Sequence, residues 1–237
     1  MVKNDIEVLR KKIAAMQGTP AVKKDSDGHF QPYLDNNGNG SAVLRFLPAF
    51  PGEDFPFVRI WNHAFQVDGK WLIDNCPTTL NRPCPVCESN TALWNKGNKD
   101  VASIRKRKMN YISNVLVVRD PKQPENEGKV MLFKYGVKIF DKLKDAIDPQ
   151  FPDVLPMDPF DAYEGANFRL RITMNSGFRD YGKSSFDEPS AIGNEDRIAS
   201  VLDQRQSLVE IIAPHQFKDY DELKEKFDRL VGAAKAA

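Results

Sequence analysis

All three cysteines of this 237-residue chain lie within one short segment, CPTTLNRPCPVC, which spans residues 76–87. Cys84 and Cys87 form a C-x-x-C pair, a spacing that lets two thiolates bind one ion, and Cys76 lies close enough to be a third ligand. An odd number of clustered thiols argues against a disulfide framework and favours a reducing compartment and a metal. The segment therefore predicts a zinc site, with a purely structural packing role for the three thiols as the alternative.

A fourth ligand is most readily supplied by a histidine, and the chain has three: His29, His63 and His215. The stretches FPFVRIWNHAF and KWLID flank QVDG and predict a β-hairpin. This hairpin would bring His63 to the same end of the sheet as Cys76, so we expect His63 to complete the site, with His29 or an acidic residue as alternatives. The resulting pattern, H-x12-C-x7-C-x2-C, matches a known class of structural zinc site.

Zinc deaminases also combine a histidine with P-C-x-x-C, but their metal keeps one position for water, and a glutamate follows the histidine as H-x-E. Here Phe65 stands where that glutamate would be. A fourth protein ligand would also close the metal to water, so we expect a structural ion. The alternatives are a zinc-dependent nucleic-acid-modifying enzyme, such as a deaminase or nuclease, and a zinc-stabilised protein-interaction module.

The net charge of +1 hides a basic middle and an acidic end. Residues 96–144 carry 13 Lys and Arg against 5 Asp and Glu, whereas residues 180–237 carry 8 against 12. Within the basic part, SIRKRKMNY places four consecutive cations at the predicted start of a strand, followed by an aromatic residue: Arg105, Lys106, Arg107, Lys108 and Tyr111. Single-stranded nucleic acids are bound by cations along the phosphates and by rings that stack on bases. A solvated face of uneven charge is the simpler alternative.

Further aromatic residues stand beside polar or basic ones, namely Trp71, Trp94, Phe133, Tyr135, Phe178 and Tyr181. The segment SGFRDYGKSSF is too polar to form a core, so its aromatic rings are candidates for binding. A place in the core is the alternative for each single ring, but together with the basic run these rings favour a nucleic-acid groove.

The periodicity of the chain predicts a mixed, mainly β fold with peripheral helices. Strands are expected at 41–48, 55–65, 70–74, 110–118, 129–136 and 168–175, and helices at 5–16, 86–94, 137–147, 194–204 and 216–231. The stretch GTPAVKKDSDGHFQP is predicted to be a linker. Short strands with long loops favour a small barrel with insertions, such as an OB-fold. The sequence predicts neither a transmembrane helix nor a signal peptide.

Several segments resemble the single-stranded DNA-binding (helix-destabilising) proteins of T4-like bacteriophages: LDNNGNGSAVLRFLP, NHAFQVDGKWLIDNC, CPVC, KRKMNYISNVLVVRDPKQPENEGKV, KIFDKL, YEGANF and SGFRDY. They span most of residues 34–181 in order. The resemblance implies an OB-fold core within residues 21–237, an inserted zinc subdomain at about 60–100, and a cleft that holds single-stranded DNA without sequence preference. It implies one structural Zn²⁺ held by His63, Cys76, Cys84 and Cys87. The predicted DNA-binding residues are Arg105, Lys106, Arg107, Lys108, Tyr111, Phe133, Lys138, Phe178, Tyr181, Trp71 and Trp94.

The resemblance also implies a non-catalytic role in phage DNA replication, recombination and repair, in the cytoplasm of the infected bacterial host. The implied partners are single-stranded DNA, further copies of the chain bound cooperatively along the strand, and phage replication and recombination proteins, with no membrane. Residues 1–20 would form the arm for self-association, with Arg10, Lys11 and Lys12 as its candidates, although the family's arm motif is not matched. The family's acidic C-terminal tail is likewise not matched by the final GAAKAA.

Overall fold

The computed structural model describes residues 28–233, which form nine strands and five α-helices. The strands are β1 (His29–Phe30), β2 (Gly40–Phe46), β3 (Val58–Val67), β4 (Lys70–Asn75), β5 (Lys108–Arg119), β6 (Val130–Tyr135), β7 (Phe168–Asn175), β8 (Phe178–Asp180) and β9 (Ser185–Phe186). The helices are α1 (Pro85–Asn95), α2 (Lys99–Arg105), α3 (Val137–Ile147), α4 (Glu195–Leu202) and α5 (Tyr220–Ala233). The mixed, mainly β class is confirmed, and the OB-fold assignment stays a prediction.

Two compact units make up this part of the chain. Unit 1 contains residues up to Leu47 together with Val115–Phe133 and Lys142–Arg205. Unit 2 contains Pro48–Asn114, Lys134–Asp141 and the residues from Gln206 onward. The predicted helix at 5–16, with Arg10, Lys11 and Lys12, lies outside the described residues. Among the helices that are described, none has the length and apolar character needed to cross a bilayer.

Unit 1 is built around β2, which pairs antiparallel with β7 on one side and with the last residues of β5 on the other. Its core contains a group of aromatic rings centred on Phe46, whose centroid lies 5.7 Å from those of Phe160 and Phe168 and 6.3 Å from that of Phe133. β7 alternates between buried apolar residues and exposed arginines, as its sequence predicts for a strand with one solvated face.

The linker predicted over GTPAVKKDSDGHFQP extends too far along the chain. Its residues His29 and Phe30 form β1, which pairs parallel with β6. Phe30 is buried and its ring meets that of Phe133 edge to face at 5.8 Å. The free energy gained by burying one aromatic side chain exceeds the local preference of its neighbours for a turn. The strand therefore starts inside the expected linker.

Unit 2 is built on the predicted hairpin of β3 and β4. Its turn residues Asp68 and Gly69 have φ angles of 46° and 77°, the left-handed values that a two-residue hairpin turn requires. β3 also pairs antiparallel with the first residues of β5. Helix α5 covers the hairpin, and the shared core includes Phe65, Leu72, Cys76, Cys84, Val86, Leu223, Phe227 and Leu230. The cysteine segment is therefore part of a packed core.

Candidate functional site

The four predicted metal ligands converge in unit 2, where one ligand atom from each of His63, Cys76, Cys84 and Cys87 lies within 4.8 Å of the others. The hairpin places His63 opposite Asp74, so its ring reaches the end of the sheet at which Cys76 follows β4. Cys84 is the N-cap of α1 and Cys87 lies in its first turn. All but Cys87 are buried.

The separations between these atoms fit a tetrahedral ion. His63 Nε2 lies 3.5 Å from Cys84 Sγ and 3.6 Å from Cys87 Sγ, and the sulfurs of Cys76 and Cys87 are 3.6 Å apart. Zinc bonds of about 2.3 Å to sulfur and 2.0 Å to nitrogen give tetrahedron edges of about 3.5–3.8 Å. These three separations, with all four atoms within 4.8 Å of one another, match the ligands of one thiophilic cation, and the four protein groups would fill all of its positions.

The charges of the cluster also favour a cation. Burial opposes protonation of His63, but hydrogen bonds with Cys76 and Cys84 outweigh it and raise the pKa of His63 to about 9. Hydrogen bonds from Cys84 and Cys87 lower the pKa of the Cys76 thiol, and the contacts with Cys76 and Cys84 raise the pKa of Cys87. The N-terminus of α1 further favours negative charge on its two thiols. A divalent ion would replace the protons that these groups share.

Two hydrogen-bonded links, one direct and one through Thr78, connect the cluster to the basic run. The Nδ1 atom of His63 lies 3.3 Å from the carbonyl oxygen of Arg105, the arrangement in which a ligating histidine donates its second ring N–H to a backbone acceptor. Cys76 Sγ lies 3.1 Å from the hydroxyl of Thr78, and that hydroxyl accepts a hydrogen bond from Nη1 of Arg107. The metal ligands therefore position both ends of the segment from Arg105 to Arg107.

Only the last residue of the basic run lies in a strand. Arg105 ends helix α2, whose buried residue is Ala102, and β5 begins only at Lys108. Arg105 is half-buried with its guanidinium 6.0 Å from the ring of Phe227, and burial lowers its pKa. The exposed cations of the run are Lys106, Arg107 and Lys108. The run therefore presents three cations to solvent.

Arg107 is held by a residue that the sequence analysis missed. Its guanidinium lies 4.4 Å from the centroid of the Trp61 ring. A cation over an indole face is stabilised by the ring quadrupole, so this contact helps to hold the Arg107 side chain in place. The available signal was the strand pattern of β3, in which Trp61 is two residues from His63 and so shares its face of the sheet.

Two rings predicted to stack on DNA bases are instead part of the core. The Tyr111 side chain is only 7% exposed, and its ring lies parallel to that of Phe140 at a centroid distance of 3.8 Å. Phe133 is buried between Phe30 and Phe46 in unit 1. Neither ring offers a face to a ligand, so we leave both out of the binding residues proposed below.

The other predicted binding residues are exposed. Phe178, at the start of β8, is 76% exposed, and Tyr181 is partly exposed in the same unit. In unit 2, Trp71 on β4 and Trp94 on α1 are 58% and 50% exposed. Lys99 Nζ lies 5.5 Å from the Trp94 centroid, and Lys138 is exposed on α3. The hairpin that carries Phe178 adds two exposed arginines that the sequence analysis missed, Arg171 and Arg179.

Replacing Tyr111 with leucine should lower the free energy of unfolding by about 1–2 kcal/mol, because the stacked contact with Phe140 is lost and the core must repack. The affinity of the folded protein for single-stranded DNA should stay unchanged. Urea unfolding and a binding titration on the same sample check both statements. A stable variant with weakened DNA binding would return Tyr111 to the binding site.

Comparison with known proteins is consistent with this geometry. Residues 38–231 match the model of the family described as gp32 DNA binding protein like. The chain is 39% identical over 235 residues to the single-stranded DNA-binding protein of Enterobacteria phage T4, an alignment covering 95% of this chain and 77% of that relative. It is 40% identical over 232 residues to the single-stranded DNA-binding protein of Enterobacteria phage T2, covering 94% of this chain and 76% of that relative.

Proposed function

Because this chain belongs to the gp32 family of DNA-binding proteins, we propose that it binds single-stranded DNA without sequence preference and without catalysing a reaction. The observation that carries this proposal is the exposed run of Lys106, Arg107 and Lys108, anchored to the cysteine cluster. Three adjacent cations in a fixed arrangement suit the regular charge spacing of a phosphodiester backbone.

Phosphates would lie along Lys106, Arg107 and Lys108, with Lys138 as a further cation. Bases would stack on the exposed rings, Trp71 and Trp94 in unit 2 and Phe178 and Tyr181 in unit 1. Stacking on a ring face is tolerant of sequence, because every base has a π-face. Binding only the single strand lowers the free energy of melted DNA and so destabilises the duplex by mass action.

The metal in this proposal is one structural Zn²⁺, held by His63, Cys76, Cys84 and Cys87. The tetrahedral separations and the three thiols support zinc, which prefers such soft ligands. The bound ion would fix the basic segment through the carbonyl of Arg105 and the hydroxyl of Thr78. With four protein ligands it would keep no position for water, which is the basis for proposing a role without catalysis.

The wider role that we propose follows from the relatives. The protein would coat single strands during phage DNA replication, recombination and repair in the cytoplasm of the infected bacterial host. Copies would bind cooperatively, with Arg10, Lys11 and Lys12 of the arm at residues 1–20 as the self-association candidates, and phage replication and recombination proteins would be further partners. An OB-fold core with a zinc subdomain at about 60–100 is part of the same proposal.

Replacing Phe178 with alanine should weaken binding to oligo(dT) by on the order of 1–3 kcal/mol, the typical contribution of one stacked base. Phe151 provides a matched control, because it is also an exposed phenylalanine of unit 1, at 69% against 76%. Phe151→Ala should leave the affinity unchanged in the same fluorescence titration. Equal affinities for the two variants and the unaltered protein would remove Phe178 from the site.

A further inference from the structure

A buried arginine in unit 1 has N–H donors without an acceptor among the described residues. The Arg45 side chain is 0% exposed, and its Nη2 atom donates to the carbonyl oxygens of Asp161 and Ser190, each at 2.8 Å. Within residues 28–233, its Nε and Nη1 atoms have no hydrogen-bond partner. Buried N–H groups of a charged side chain are ordinarily paired, because an unpaired one loses its hydration without compensation. These two donors therefore call for an acceptor.

Arg45 is also one of the residues that line a cavity of about 180 Å³ in unit 1. The polar residues among its lining are Arg45, Arg197 and Asn167, and the apolar ones include Leu116 and Ile192. One water takes up about 30 Å³ in the liquid, so the cavity has room for a ligand of several heavy atoms.

The charges around this cavity are unbalanced. Among the described residues, the lining of the cavity includes two arginines and no acidic residue. Within the same described part of the chain, the guanidinium of Arg197 forms no ion pair. The negative charge of the Asp161 carboxylate raises the pKa of Arg45 through space. The Oδ1 atom of this carboxylate, however, accepts hydrogen bonds from the backbone N–H groups of Tyr163 and Glu164. Burial outweighs this carboxylate and lowers the pKa of Arg45. Two cations at one cavity repel each other unless an anion lies between them.

We propose that this cavity binds a phosphate-sized oxyanion, held by the free donors of Arg45 and by Arg197, with the Asn167 amide as a further donor. The planar fork of a guanidinium matches the oxygens of a phosphate, and hydrogen bonds between the two are charge-assisted. The ligand chemistry is that of a phosphate group, supplied either by inorganic phosphate or by a nucleic-acid strand. The site is separate from the basic run of unit 2 and does not depend on the proposed role of that run.

The test follows the Nε–H resonance of Arg45 by ¹H–¹⁵N NMR, assigned through bonds from the Arg45 backbone. Sodium phosphate is titrated into the protein at constant ionic strength maintained with sodium chloride. A saturable shift of this resonance is expected with phosphate, because the anion accepts directly from that N–H. No shift, or the same shift with chloride alone, would overturn the proposal and leave a cavity that holds water.

Arg197→Gln provides a variant that should fold, since this side chain is exposed at the rim. It should weaken phosphate binding by on the order of tenfold, the loss expected for one charge-assisted contact. Arg119→Gln is the matched control, because Arg119 is exposed in the same unit and does not line the cavity. An Arg45 shift that Arg197→Gln leaves unaltered would overturn the two-arginine site.

Repeating the titration with oligo(dT) in phosphate-free buffer distinguishes the sources of the phosphate group. The same Arg45 shift would assign a nucleic-acid phosphate as the occupant, and a shift with inorganic phosphate alone would assign the free anion. Either result supports the site. Failure of DNA binding at the basic run would be seen separately, as a loss of tryptophan quenching with the Arg45 response to inorganic phosphate retained.

Discussion

Removing the metal with a chelator should lower the melting temperature of this protein by at least about 10 °C. The four ligands sit in the core of unit 2, and structural zinc sites contribute on the order of 10 kcal/mol of folding free energy in small domains. Even half of that value would shift the melting temperature of a chain of this size by about 10–20 °C. Zinc analysis should give one ion per chain before chelation, and circular dichroism on heating measures the shift.

Single substitutions separate loss of the metal from other effects of the chelator. Cys84→Ser removes a buried ligand and should reproduce the low melting temperature without chelator. His63→Ala removes another buried ligand and should have the same effect. Its matched control is His215→Ala, since His215 is exposed and lies outside the ligand cluster. A zinc content near zero in protein that melts at the same temperature with and without chelator would contradict the metal site.

Replacing Lys106, Arg107 and Lys108 together with glutamine should weaken binding to oligo(dT) by on the order of a hundredfold at about 0.1 M salt. Each exposed cation is expected to contribute on the order of 1 kcal/mol, and the three together about 3 kcal/mol. The plot of log affinity against log salt should also become shallower by about 2, since each lost phosphate contact removes about 0.7 from the slope on single strands.

The control for this variant removes the same charge from the same unit. Lys218, Lys224 and Arg229 each pair with an acidic side chain on or beside α5, and glutamine at all three changes the net charge equally. This control should lose little affinity, because nonspecific attraction alone falls off within a Debye length of about 10 Å in ordinary buffers. Equal losses in both variants would mean that overall charge, and not the anchored run, binds the DNA.

The hairpin and the helix that follows it were predictable because their signals are local. QVDG requires left-handed turn residues, and Asp68 and Gly69 adopt them. Once this turn is fixed, strand geometry alone brings His63 to the end of β4 that leads to Cys76. Pro85 after Cys84 is a common helix start, and α1 begins there.

Whether an aromatic ring lies in the core or at the surface was not predictable from its neighbours in sequence. Tyr111 follows four cations and was therefore expected at the surface, but strand alternation and the facing ring of Phe140 turn it inward. For Arg45 the sequence is misleading as well, because an arginine in a strand is ordinarily exposed. This arginine is buried, and it donates hydrogen bonds to backbone carbonyl groups that are distant in sequence. Tertiary contacts decide these positions, and a single sequence does not contain them.

The most direct test of the account is a titration of tryptophan fluorescence with oligo(dT) and with duplex DNA of equal length at several salt concentrations. Trp71 and Trp94 are exposed in unit 2 and provide the signal without a label. We predict tight quenching by the single strand, much weaker binding of the duplex, and affinity that falls steeply as salt rises. Equal affinity for the two DNA forms, or binding to oligo(dT) that salt leaves unchanged, would contradict the proposed function.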